Sequence, residues 1–140
     1  MHTEHLQNVR PGTVALGWFI AAAVTSLAVF AMLAVGVLSR DGQGSTVWGL
    51  VATASGFFAG GWFMGMRAGR APILHAVAIG LFSLLVWFLV NLVPGEMLDA
   101  ESWNVDAAHV AGHILLQIVA AAMGGRLASR DARAGSAPAS

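Results

Sequence analysis

Apolar residues in this chain come in long unbroken runs, not in the alternating or one-faced patterns of soluble strands and helices. Four such runs stand out. The first spans about Thr13 to Leu38 and the second about Thr46 to Met66, and neither contains a charge. The third spans about Pro72 to Val93, with His75 as its only ionisable group. The fourth spans about Asp106 to Gly125 and carries His109 and His113. A bilayer core about 30 Å thick is crossed by roughly 20 apolar residues in a helix. Each run therefore predicts one transmembrane helix.

The breaks between the runs have local chemical reasons. Ser39 to Ser45 is polar and holds Gly42 and Gly44, the composition of a loop. Arg67 to Ala71 leaves room only for a tight turn, and Pro72 then suits a helix start, where its missing N–H costs nothing. Pro94-Gly95 stops the third run, and the acidic stretch Glu96 to Val105 is the longest loop. The predicted organisation is a cytoplasmic segment over 1–12, a four-helix membrane domain over 13–130 and a disordered tail over 131–140. The first run is not expected to be a signal peptide: it is about 26 residues long, against roughly 7–15 in a signal h-region.

Composition sharpens this picture. Of the 140 residues, 57% are hydrophobic and 10% charged. A soluble domain carries about a quarter charged residues, so a bilayer is the expected surrounding. The formal net charge is zero, which gives no footprint for nucleic acid. There is no Cys, so disulfides, Fe–S clusters, thiolate zinc sites and Cys-linked lipids are excluded. All seven cations are Arg. Arg10, Arg67, Arg70, Arg126, Arg130 and Arg133 fall on one side of the four spans and Arg40 on the other, so both termini are expected in the cytoplasm. Trp48 and Trp103 then mark the outer boundary and Trp18 and Trp62 the inner one, while Trp87 lies deeper and is expected to pack.

Small residues recur at helical spacing. Gly56 and Gly60 are four apart, and Gly61, Gly65 and Gly69 form a second row at the same step. Residues four apart share a helix face, and a row of glycine lets another backbone approach closely. Packing within the chain explains both rows. A contact between copies through one row, or a lipid groove, are the alternatives. The fourth span ends similarly, with Gly124-Gly125 followed by Arg126 and Arg130. Both even spans thus reach the cytoplasm through Gly and spaced Arg, which suggests two helical hairpins, residues 13–70 and 72–130, arranged as parallel repeats.

The string from Gly60-Gly61 to Arg67-Ala68-Gly69-Arg70, then Pro72-Ile73-Leu74-His75 and Gly80-Leu81, resembles a signature of small bacterial membrane proteins. In that family a Gly-Gly pair precedes an Ala-Gly-Arg turn, and a Leu-His-Gly run opens the next helix. The family is uncharacterised, with four predicted spans. The resemblance covers about 20 of the 140 residues, and Ala76 departs from it where the family usually carries Gly. It implies the fold and no function.

Candidate chemistry is confined to one stripe. Asp106, His109, His113 and Gln117 follow at steps of three, four and four, a continuous polar line down one face of the fourth span. Such groups face the interior of a bundle, because lipid offers them no partner. Asn91 and Ser83 on the third span, and Thr25, Ser26, Thr53 and Ser55 on the first two, are the expected partners. Interhelical hydrogen bonding is the leading reading. Metal or haem ligation is a weaker one: His109 and His113 have the i, i+4 spacing, but HExxH is absent and a third ligand would have to be Asp106 or Glu101. A proton or ion path is the third reading. His75 sits near the cytoplasmic end and is expected to be interfacial.

Familiar four-span classes do not fit. Small multidrug exporters need a carboxylate within the first span, fluoride-channel proteins a Thr/Phe/Ser-rich break in a later helix, and intramembrane serine proteases more spans and an in-span base. The expected protein is an all-α integral membrane four-helix bundle with short loops, of the bacterial cytoplasmic (inner) membrane. It is expected to be non-enzymatic and without cofactor, a structural or accessory subunit that packs with its own copies as a homo-oligomer or with a larger membrane complex. An oligomeric carrier of small solutes or ions, or a metal- or haem-holding subunit, are the alternatives.

Overall fold

A computed structural model gives the fold and describes residues 10–38, 45–68, 72–91 and 107–134. Among the described residues there are four α-helices and no strand: α1 (Pro11–Ala34), α2 (Ser45–Ala68), α3 (Pro72–Asn91) and α4 (Ala107–Ala134). Each is long and apolar enough to cross a membrane. Gly69, the polar breaks 39–44 and 92–105, Asp106 and Trp103 lie outside the described residues.

The helix ends differ from the apolar runs in ways the local chemistry explains. α1 starts at Pro11, whose fixed φ suits the first turn. It stops at Ala34, four residues before the run ends at Leu38. Gly36 takes φ 75°, and the N–H groups of Gly36 and Val37 return to the carbonyls of Leu33 and Met32. That is a Schellman cap, which closes a helix by pairing its last carbonyls through a left-handed residue. At the other extreme, α4 continues through Ala134, so residues 131–134 are helix and not tail. Nothing from Arg126 to Ala134 breaks a helix: the stretch holds Arg, Ala and Leu, and no Gly or Pro.

The helices form a ring in the order α1, α2, α4, α3. The most extensive contact joins α2 to α4, followed by α1 to α2 and α3 to α4. Contacts of α3 with α1 and, diagonally, with α2 complete the ring, while α1 and α4 do not meet among the described residues. Successive helices are antiparallel: Gly56 meets Ala21 and Thr25, whereas Gly60 meets Gly17. The two even helices are parallel. Thr53 faces His113, Gly61 faces Ala121 and Gly65 faces Gly125, each pair 60 positions apart. The hairpin α3–α4 therefore lies beside the hairpin α1–α2 with α4 on α2 at a constant offset, while α3 meets α1 through Trp18 and Ser83.

The interior is small. Buried Val14, Ala21, Phe57, Met64, Ala76, Ile79, Ala120 and Ala121 form the core, and among the described residues Met64 and Ile79 are the large side chains wholly enclosed. The outside carries the bulk: Leu27 and Phe30 on α1, and Val35 just past its end, are each more than 70% exposed. Large apolar side chains turned outward mark a surface made for another partner or an apolar solvent.

Candidate functional site

The glycines divide the bundle into a tight half and an open half. In the tight half, where α2 and α4 end, backbones touch. A Cβ on Gly61 would collide with the Ala121 carbonyl, one on Gly65 with the Gly125 backbone, and one on Gly124 with the Phe58 carbonyl. The row Gly56 and Gly60 faces the other way, onto Ala21, Thr25 and Gly17 of α1. So α2 is the central helix, with one glycine row for each neighbour. Two further glycines matter that carry no spacing signal. Gly17 makes room for Met64 and Ile79, and Gly80 for Ile118. Arg67 closes this half, its guanidinium 5.1 Å from the Phe63 ring centre, one helical turn earlier.

His75 also lies in the tight half, and it is buried to 4% exposure inside the bundle. Trp18 likewise turns into the bundle. Its indole N–H donates to Ser83 Oγ at 2.8 Å, and its ring meets the edge of Phe82 at 5.5 Å. Both residues point inward from spans that are apolar all round, so sequence shows their depth and not their direction.

Towards the opposite end the helices part. Gly49 and Gly112 have no neighbour within 4 Å of where a Cβ would stand. A cleft of about 920 Å³ opens here between α1, α2 and α4, lined by Val29, Gly49, Thr53, His109, Gly112 and His113 among others. A second, of about 300 Å³, lies between α3 and α4 and is lined by Ser83, Trp87, His109, His113 and Gln117 with neighbouring apolar groups. A third, of about 370 Å³, reaches all four helices and includes Trp18, Thr25, Ser83, Trp87, His113 and Gln117. His113 lines all three. It stands where the clefts meet.

The polar stripe thus faces the bundle's interior over His113 and Gln117. His113 Nε2 lies 3.4 Å from Thr53 Oγ1, a long contact at the edge of hydrogen-bonding range. Gln117 Oε1 and Thr25 Oγ1 are buried without a partner. Thr25 Oγ1 occupies the space that a Cβ on Gly56 would fill. An unmet buried acceptor costs about 1–3 kcal/mol. His109 is exposed along one edge of the clefts. Asn91 is the last residue of α3. Of the expected partners, Thr53 meets the stripe, Ser83 accepts from Trp18, and Ser55 donates to the Ala52 carbonyl of its own helix.

Among the described residues no three His, Asp or Glu side chains converge as a metal cage would require. His109 and His113 share a face, one turn apart, and Asp106 falls outside the described residues. What the arrangement offers chemically is a polar crevice with aromatic walls, with no Asp, Glu, Lys or Arg among the residues that line it. Compared with protein-family models, with curated proteins and with solved structures, the chain shows no match.

Proposed function

We propose that this chain is a small non-enzymatic protein of the bacterial cytoplasmic membrane that crosses it four times, with both termini inside. It acts as an accessory subunit by packing against its own copies or a larger membrane complex, and it belongs with the small four-span proteins its Gly-Gly…Ala-Gly-Arg…Leu-His string resembles. The observation that supports this reading is the distribution of bulk: Gly and Ala hold the interior, while large side chains such as Phe19, Phe30 and Leu115 cover the outside. Association between helices in lipid depends on van der Waals fit, for which such a surface offers wide contact.

The test is extraction from native membranes in mild detergent, followed by affinity purification and sizing. Comigration with a partner or with further copies supports the reading, and a lone monomer with nothing attached overturns it. Topology is read in parallel, because the chain lacks Cys. Glu101→Cys should label from outside intact cells and Ser136→Cys only after the membrane is opened. Labelling of both from one side would defeat the four-span arrangement.

A second reading is a carrier of small solutes. The crevice around His113, Thr53 and Gln117 favours it, since buried polar atoms without partners point to a ligand more than to packing. Flux that needs Gln117 in sealed vesicles would support it over the first.

A further inference from the structure

We propose that the crevice around Gln117 and His113 binds the head of a membrane-soluble quinone: an uncharged ring bearing carbonyl oxygens, carried on an apolar tail. The proposal rests on the membrane reading above and goes beyond it. Four observations carry it.

The first is charge. Neither the 370 Å³ cleft nor the 300 Å³ cleft is lined by Asp, Glu, Lys or Arg. A phosphate or carboxylate placed there would lose water and meet no permanent counter-charge, the imidazoles of His113 and, in the smaller cleft, His109 being the ionisable groups on the walls. A neutral head meets no such penalty. The second is the polar inventory. Ser83 Oγ already accepts from the Trp18 indole, which leaves its hydroxyl proton to donate into the cleft. Gln117 lines both clefts from a half-buried position, and its Oε1 is buried with no partner. A carboxamide carries a donor and an acceptor side by side. By a half-turn it serves the carbonyl of an oxidised ring or the hydroxyl of a reduced one.

The third is shape. Trp87 and Ser83 line both clefts together with His113 and Gln117, and Trp18 and Val86 complete the wall of the larger. Flat indole walls favour a flat ring. The volumes match sites for one small molecule, and a helix about 10–12 Å across does not enter them. The fourth is access. The smaller cleft lies between α3 and α4, whose outward side chains Phe88 and Leu115 are exposed and apolar. An apolar tail leaving the cleft on that side lies where lipid would be.

The experiment uses the full chain purified in lipid nanodiscs. Decyl-ubiquinone is titrated, and decylbenzene, which has the tail without carbonyls, serves as the comparison. Thermal unfolding is the first readout and quenching of Trp fluorescence the second. The expected result is a saturable rise in melting temperature with decyl-ubiquinone and none with decylbenzene. Gln117→Leu should weaken binding by about tenfold, the factor for losing one well-formed hydrogen bond and leaving its partner unmet. Ser83→Ala should weaken it as well, and Gly12→Ala, in open space far from the clefts, should not. If Gln117→Leu does not fold, Ser83→Ala and the decylbenzene comparison decide alone. Equal shifts with both compounds, or none with either, overturn the proposal. Displacement of decyl-ubiquinone by phosphatidylglycerol also overturns it, in favour of a lipid headgroup. Alkaline carbonate washing of the source membranes separates the two levels. Release of the chain defeats the membrane reading; retention without quinone binding defeats only the ligand.

Discussion

At the scale of single residues, the glycines fall into two kinds that look alike in sequence. Gly61 is pinned against the Ala121 backbone, and Gly49 faces empty space on the same helix. Gly61→Ala must force α2 and α4 apart, because a backbone carbonyl cannot turn aside as a side chain can. Overpacking of this kind costs about 1–3 kcal/mol. Gly49→Ala meets nothing and gains the better helix propensity of Ala, up to about 1 kcal/mol. The two variants should therefore move the detergent melting temperature in opposite directions, and equal effects would contradict the close approach. His113 gives a second residue-level prediction. Its contact with Thr53 is long, so His113→Leu should cost only about 0.5–2 kcal/mol. Folding should survive. Elemental analysis and an optical spectrum of wild type and variant should show neither stoichiometric metal nor a Soret band. A metal or Soret band lost on substitution would promote the cofactor reading and place His113 as its ligand.

At the scale of elements, existence and type were legible and the ends less so. Hydropathy alone marks where apolar residues run, whereas a helix ends where its last carbonyls find partners. In α1 those partners come from the Gly36 turn, inside an apolar run that gives no warning of a stop. Gly36→Ala should cost about 1–2 kcal/mol, the penalty of a left-handed L-residue. Gly12→Ala, also exposed and at a helix end with ordinary φ, should cost little. A melting comparison of the pair checks the cap. The glycine rows were legible because spacing four is a face. Which helix each row would meet was not, since that depends on the ring order α1, α2, α4, α3. Gly17 and Gly80 stood alone in sequence and could be found only from their neighbours Met64, Ile79 and Ile118. The inward direction of Trp18 and His75 was not legible, for one shared reason. On a helix that is apolar on every side, position gives depth, and no polar contrast tells which way a side chain points.

At the scale of the whole molecule, the parallel register of the two hairpins ties the site to the fold. The 60-residue offset that sets Gly61 on Ala121 and Gly65 on Gly125 also sets Thr53 opposite His113. The tight half fixes the axis spacing, and the crevice opens where small residues no longer meet across it. This register can be tested directly. A protease site placed within 92–105 separates α4 from the first three helices once cut. With Thr53→Cys and His113→Cys in an otherwise Cys-free chain, a short bifunctional thiol reagent should hold the cut halves together in denaturing gels. Thr53→Cys with Ser129→Cys should not, because parallel helices place those positions about 16 residues apart along the axis, roughly 24 Å at 1.5 Å per residue. An antiparallel α2–α4 pair would reverse or abolish the difference, and with it both the layered hairpins and the shared crevice.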